Sequence, residues 1–308
     1  MRTTGSDLRR RGILIGAGAL LLLGALALYW TQMPAKLAND YEARAEPQTE
    51  RVQRVLEPAM DKFGFETFGV VEVKVKQSPR GYLRDLSRAI SKDLRELERA
   101  RSVVKRAKRS LGRIDEEAMT DAPSWPLLGG TDEVQSASGI AGEAGAYLRK
   151  ARAYVREFGE LVEYSIDYMR FSYKLAGAGA RAAASTPKAP TSVEQVTRPL
   201  EREQRIAIAE LLRFRRHKPP KEAFGEHHAL IAQTERLIRN ERALLAAIRR
   251  QDQGSVVRIT KRINSELGRG DRRSIKWLEK LMDRSRYTRL IDDLRRREGR
   301  LRKGFEEL

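Results

Sequence analysis

The sequence predicts an all-α protein: one N-terminal transmembrane helix followed by a bundle of long helices. Three observations carry this. Residues Gly12 to Met33 hold no charged side chain. Beyond them, apolar residues recur every three, four or seven positions over long segments separated by short breaks. Alternation of period two occurs in one short stretch, where Val71, Val73 and Val75 alternate with Glu72, Lys74 and Lys76.

The N-terminal segment comes first. At 1.5 Å per residue, the stretch from Gly12 to Met33 reaches ~33 Å, enough for a hydrocarbon core of ~30 Å. Tyr29 and Trp30 stand near its end, as interfacial aromatics do, and Pro34 follows. A cleaved secretory signal also starts basic and apolar. Its apolar core, however, runs only ~7–15 residues. The small-x-small triplet Ala43-Arg44-Ala45 lies far beyond Trp30, and Ala25-Leu26-Ala27 lies inside the apolar run. The segment therefore reads as an uncleaved anchor. Arg2, Arg9, Arg10 and Arg11 precede it, whereas Lys36, Arg44 and Arg51 follow. The excess of basic residues on the N-terminal side predicts a cytoplasmic tail at 1–11, a span at 12–33 and an extracytoplasmic bulk, a single-pass cell-membrane protein. Gly12 and Gly16 are spaced as in close-packed spans, but glycine is common in such segments and no dimer is read from them.

A helix leaving the membrane is expected over 35–60, with Leu37, Tyr41, Val52, Val55 and Leu56 on a partly helical spacing and Pro47 and Pro58 as interruptions. The glycine-punctuated aromatic run Phe63 to Gly69 and the alternating valines then suggest one short β-strand or extended connector near 70–76. A lone strand is unstable, so it needs a helix or another copy to pack on.

From Gly81 the pattern turns helical. Leu86, Ile90, Leu94, Leu97, Val104, Ala107 and Leu111 mark one stripe between charged residues. Pro123, Pro126, Gly129 and Gly130 break the chain between 115 and 131. A second long helix is expected from about Gly139 to Leu175. Tyr147, Tyr154, Leu161, Tyr168 and Leu175 recur every seven residues there, beside Leu148, Val155, Val162 and Met169, with Phe158 on the same face. This coiled-coil-like seam requires another helix against it. A tyrosine stripe can also line a ligand groove, but at this spacing it reads as core with hydroxyls at the edge.

The Ala-, Gly-, Pro- and Thr-rich stretch 178–197 has linker composition, which divides the chain into helical regions 34–177 and 198–308. In the latter, a short helix carries Ile206, Leu211 and Leu212 and stops at Pro219-Pro220. A new helix follows from Lys221, with Leu230, Leu237 and Leu244 at heptad spacing, interrupted at Gly254. A last helix carries Ile275, Leu278, Met282, Ile291, Leu294, Leu301 and Phe305. The run Leu212, Pro219-Pro220-Lys221-Glu222, His228, Leu230, Leu237 and Ala246-Ala247-Ile248-Arg249-Arg250-Gln251-Asp252 resembles a pattern of uncharacterised membrane-anchored or exported helical proteins of GC-rich bacteria. The resemblance covers about 40 residues and implies no activity and no catalytic residues.

Composition narrows the function. The chain lacks cysteine. Disulfides, thiolate metal sites, thiol catalysis and lipidated cysteine are thereby excluded. No phosphate-cradling glycine loop, serine–histidine–aspartate arrangement or paired carboxylates stand out, so neither an enzyme nor a cofactor is expected. His217, His227 and His228 lie near Glu222 and Glu226. The adjacent histidines point about 100° apart on a helix, so the reading is one packed histidine and one solvated, with no metal. Arg269-Gly270-Asp271 is a chance tripeptide in a chain of 45 Arg and 23 Gly.

The formal charge is +19, of which residues 198–308 carry +13, with 30 basic and 17 acidic side chains. Three clusters are candidate polyanion contacts: Arg213, Arg215, Arg216, Lys218 and Lys221; Arg269, Arg272, Arg273 and Lys276; and Arg295, Arg296, Arg297, Arg300, Arg302 and Lys303. Outside a bacterial membrane, anionic headgroups or wall polymers are the partners such clusters fit, beside the lipid bilayer itself. Inside, nucleic acid is the alternative, but no recognised nucleic-acid motif is present and aromatics are sparse. A GC-rich genome also produces an arginine excess, here 45 Arg against 16 Lys, without any function.

Overall fold

The structure, a computed structural model, describes residues 6–61, 79–125, 128–187, 189–266 and 284–308; the side chains of 6–23, 25, 79–83, 86, 89, 222 and 284–288 lie outside that description. Every element among the described residues is helical, in agreement with the all-α expectation. In chain order they are α1 (Ser6–Asp61), α2 (Pro79–Leu111), α3 (Glu116–Thr120), α4 (Asp132–Ser185), α5 (Val193–Arg215), a 3₁₀ turn (Lys221–Ala223) that runs into α6 (Phe224–Arg249), α7 (253–266) and α8 (Arg284–Glu306). The valine alternation at 70–76 and the run Phe63 to Gly69 lie outside the described residues.

Several boundaries differ from the sequence expectation: α3 lies inside the break expected between 115 and 131, and α4 begins at Asp132 instead of near Gly139. Helix α1 passes through Pro47 and Pro58 without a break. Both prolines sit on the exposed face, where the carbonyl that loses its amide partner four residues back can be hydrated instead. Helix α4 continues through the Ala- and Gly-rich stretch to Ser185, because alanine is the strongest helix former and the four alanines at 180 and 182–184 offset the glycines. The connection to α5 is therefore confined to 186–192, and Ser192 caps α5 by accepting from the Gln195 amide at 3.3 Å. The break after α6 lies at Gln251, which takes a left-handed φ of 56°, and not at Gly254, which is inside α7. Asp252 starts α7 by accepting from the Ser255 amide at 3.0 Å; the hydrogen bond from the Ser255 hydroxyl, and then this amide bond, lower its pKa.

The described contacts separate into two compact units. The first comprises Met1–Val55, Ser110–Arg152 and Ile291–Leu308; the second comprises Leu56–Arg109 and Ala153–Leu290. Both are discontinuous in sequence, and the stretch 178–197 lies wholly within the second.

In the first unit, α1 presents Ala38, Tyr41, Ala45 and Val52, a three-four spacing of small and large side chains, all with no exposed area. The Tyr41 hydroxyl donates to the Met119 carbonyl at 2.7 Å, and its ring lies 6.4 Å from Phe305 of α8. Helix α4 contributes Val134, Ala137, Ala141, Ala144, Tyr147 and Leu148 to the buried set. Two glycines permit close approach here. A Cβ at Gly145 would stand 2.8 Å from the Thr120 methyl, and one at Gly304 would stand 2.9 Å from Ile140 Cγ1.

In the second unit, the α4 seam meets α5 and α6. Leu161, Tyr164, Tyr168 and Phe171 pack with Ala207, Leu211 and Phe214 of α5 and with Ile231 and Ile238 of α6. Phe171 and Phe214 stack at 4.4 Å. Tyr154 is 1% exposed, stacks on Phe158 at 6.0 Å and reaches the Ala59 carbonyl at 3.4 Å. Tyr147, Tyr154 and Tyr168 are all buried, so the tyrosine stripe is core.

Candidate anion-binding cleft

The first predicted basic cluster lies in the second unit and the third in the first unit. Arg213, Arg215 and Arg216 close α5, where cations complement the negative end of the helix dipole. Arg215 is also ion-paired with Glu235 of α6. Lys221 is exposed in the 3₁₀ turn. Arg295 and Arg296 are exposed on α8. Arg297 is turned inward, paired with Glu143 at 3.0 Å and Asp293 at 3.3 Å, its side chain 21% exposed. Arg300 joins the same Glu143 at 3.4 Å, and Arg302 bonds Glu298 at 2.9 Å and Gln53 at 2.5 Å. The third cluster thus has three of its five guanidinium groups engaged by carboxylates or Gln53. Arg269, Arg272, Arg273 and Lys276 lie outside the described residues.

Lys218 stands apart from these. It lies on the rim of a cleft of about 690 Å³ in the second unit, built by α2, α4 and the turn that follows α5. Helix α2 supplies Arg101, Lys105 and Lys108 at helical spacing, so all three share one flank. Helix α4 supplies Arg156, Gly159, Glu160, Glu163, Tyr164 and Asp167. The turn supplies His217, Lys218, Pro219 and Pro220. Pro220 holds φ −59° and ψ 155°, an extended geometry that fixes how the rim runs. The floor is apolar where Val104 and Val155 meet Gly159; a Cβ at Gly159 would stand 2.8 Å from Val104 Cγ1, so α2 and α4 touch there only because the residue is glycine.

The acidic residues of the cleft are mostly committed. Glu163 accepts from Arg101 at 2.6 Å, and that hydrogen bond is the main cause of the raised Arg101 pKa. Asp167 pairs with His217 Nδ1 at 2.7 Å. Lys105, Lys108, Arg156 and Lys218 are exposed, and none has an ion-pair partner among the described residues. Lys105 and Lys108, three apart on one helix, repel by a few tenths of a kcal/mol. Glu160, also exposed on the lining, has no ion-pair partner among the described residues either, so the five Lys and Arg side chains of the cleft face three carboxylates and leave a net positive lining that attracts anions. The cleft lining holds no serine, threonine or cysteine beside the Asp167–His217 pair.

Sequence reasoning placed Lys218 and missed Lys105, Lys108 and Arg156, which lie between the apolar positions of their helices. The one local signal was Gly159, a glycine inside an otherwise bulky seam. The histidines follow the expectation. His227 is 2% exposed, its Nδ1 3.2 Å from the Tyr164 hydroxyl and its ring 4.6 Å from Phe214; His228 is exposed beside Phe224. Burial lowers the His227 pKa, and the neighbouring His228 and His217 add to this. Among the described residues no three histidine or carboxylate side chains lie close enough to hold a metal.

A second group of ionisable residues lies where α4, α5 and α6 approach. Glu241 of α6 has its Oε2 buried without a hydrogen-bond partner among the described residues. Burial, and then the charge of Glu203 on α5, raise its pKa from 4.5 to about 7. Glu203 is itself raised by burial, and a Cβ at Gly179 of α4 would stand 2.7 Å from its Oε1.

No protein-family model, curated protein or solved structure matches this chain.

Proposed function

We propose that this is a single-span membrane protein whose helical, extracytoplasmic part binds anionic groups, acting as a tethered binding or scaffolding module. The observation that carries the binding half is the cleft: Lys105, Lys108, Arg156 and Lys218 converge on it without carboxylate partners among the described residues. The ligand class is a phosphate- or carboxylate-bearing surface, as on lipid headgroups or wall polymers, which charge alone recognises. The tether rests on the uncharged segment Gly12 to Met33, which forms part of the continuous helix α1. No helix among the described residues is long and apolar enough to cross a membrane, and the side chains of 12–23 and 25 fall outside them. The orientation rests on the four N-terminal arginines.

A topology reporter fused after Leu308 tests this reading. Activity only on the outer side of the membrane supports it. Activity only on the cytoplasmic side overturns it and transfers the cleft to a cytoplasmic polyanion, nucleic acid above all. Vesicle flotation of the full-length protein tests the tether: release by carbonate or high salt would refute a membrane span.

A further inference from the structure

The chain segment after α3 runs back along α1 towards the apolar N-terminal segment. At its upper end, the Tyr41 hydroxyl holds the Met119 carbonyl at 2.7 Å, and Arg44 pairs with Asp121 at 3.4 Å. At its lower end, the Trp125 ring stacks on Trp30 at 5.9 Å with an interplanar angle of 18°, and meets Tyr29 edge-on at 6.3 Å. From Tyr41 back to Tyr29, α1 covers ~18 Å. Residues 121–125, which have no regular structure, join these two ends and so descend α1 by about three turns. No charge occurs from Ala122 to Thr131. Around the stack, Leu26, Leu28 and Tyr29 are 49%, 63% and 52% exposed.

We propose that Trp125 is a second membrane contact, held by Trp30 and Tyr29 in the interfacial layer of the bilayer. The inference rests on the reading of Gly12 to Met33 as a span and adds to it a residue distant in sequence. Three aromatic rings meet where the apolar segment ends, beside large apolar side chains left exposed by the first unit. Such rings favour the zone between headgroups and acyl chains, because an apolar body and a polar N–H or O–H are both satisfied there. A bilayer surface fits this patch because it continues the apolar segment on the same helix. Water leaves Leu26 and Leu28 uncovered, which is unfavourable in proportion to their area. The loop between α3 and α4 then fixes the height of the first unit above the membrane, with the Arg44–Asp121 pair on its water-facing side.

The test uses the full-length protein with Trp30→Phe and Trp277→Phe, which leaves Trp125 as the sole tryptophan, reconstituted in phosphatidylcholine vesicles containing lipids brominated at different depths. The expected result is blue-shifted emission and a loss of emission that is greatest with bromines near the headgroup. Unquenched, water-like emission from protein that floats with the vesicles overturns the inference and leaves the span intact. Protein that fails to float overturns both. Should the double variant misfold, the bromolipid quenching of wild-type protein minus that of Trp125→Phe isolates the same residue; a difference of zero overturns the inference.

Discussion

Glu241→Gln offers the sharpest test of the second unit's packing. The buried, unpartnered Oε2 of Glu241 and its pKa of about 7 mean that the folded protein holds a proton which the unfolded chain releases near 4.5. Below 4.5 both states are protonated and ionisation of the carboxyl contributes nothing to the balance. As pH rises from 4.5 to 7, the unfolded state ionises first and stability falls; above 7 the loss is complete. At 1.36 kcal/mol per pH unit, the interval from 4.5 to about 7 corresponds to a loss of about 3 kcal/mol. Glutamine cannot ionise, so the variant should gain on the wild type by about that amount between pH 4.5 and pH 8. His227 acts in the opposite sense: its depressed pKa removes stability as pH falls below 6.5, equally in both proteins. Urea denaturation of the two proteins at several pH values therefore reads Glu241 together with its coupling to Glu203. A stability difference that is the same at pH 4.5 and pH 8 would refute the burial argument.

Three further outcomes are expected. Gly142→Ala, with open space around its Cβ, should stabilise the first unit by about 0.5–1 kcal/mol, whereas Gly145→Ala should lose ~1–2 kcal/mol net against the Thr120 methyl. Thr120→Ser removes that methyl and retains the hydroxyl bond to Glu116, so thermal unfolding should show it rescuing Gly145→Ala. Tyr154→Asp should cost ~3 kcal/mol or more and Tyr154→Phe about 1 kcal/mol, read by the same melts; an unchanged Tyr154→Asp would place the stripe on an open surface. Arg297→Gln should destabilise by about 1–2 kcal/mol, while Arg295→Gln and Arg296→Gln should stay within ~0.5 kcal/mol, because only Arg297 is held by two carboxylates.

What the sequence made legible is what depends on local periodicity. The stripes through Leu97, Val104 and Leu111 and through Tyr147, Tyr154 and Leu161 are buried as their spacing requires, because a helix puts every third and fourth residue on one side. Breaks were harder. Pro47 and Pro58 suggest interruptions, yet α1 runs through both, because on an exposed face each removes one hydrogen bond that water replaces. Gln251 took the left-handed turn that Gly254 suggested, since the capping of α7 by Asp252 fixed where the next helix begins. The cleft was invisible for a different reason. Lys105, Arg156 and Lys218 lie on three separate segments, and only tertiary packing across Gly159 brings them together. The same holds for Trp125, which sits 95 positions from Trp30 in the chain and stacks on it.

The binding account turns on whether the four cleft cations without ion-pair partners among the described residues act together. The direct measurement is the affinity of full-length protein in neutral nanodiscs for an anionic polyphosphate, followed from 50 to 300 mM salt. The wild type is compared with Lys105→Gln/Lys108→Gln/Lys218→Gln and with the control Arg295→Gln/Arg296→Gln. Each cation near an anionic surface contributes about 1 kcal/mol, so the triple variant should lose about a hundredfold in affinity and much of the salt dependence. The control should lose far less. Equal losses in the two variants, or wild-type protein that ignores the polyanion at low salt, would show that the charge is a property of composition and that the cleft binds no anion.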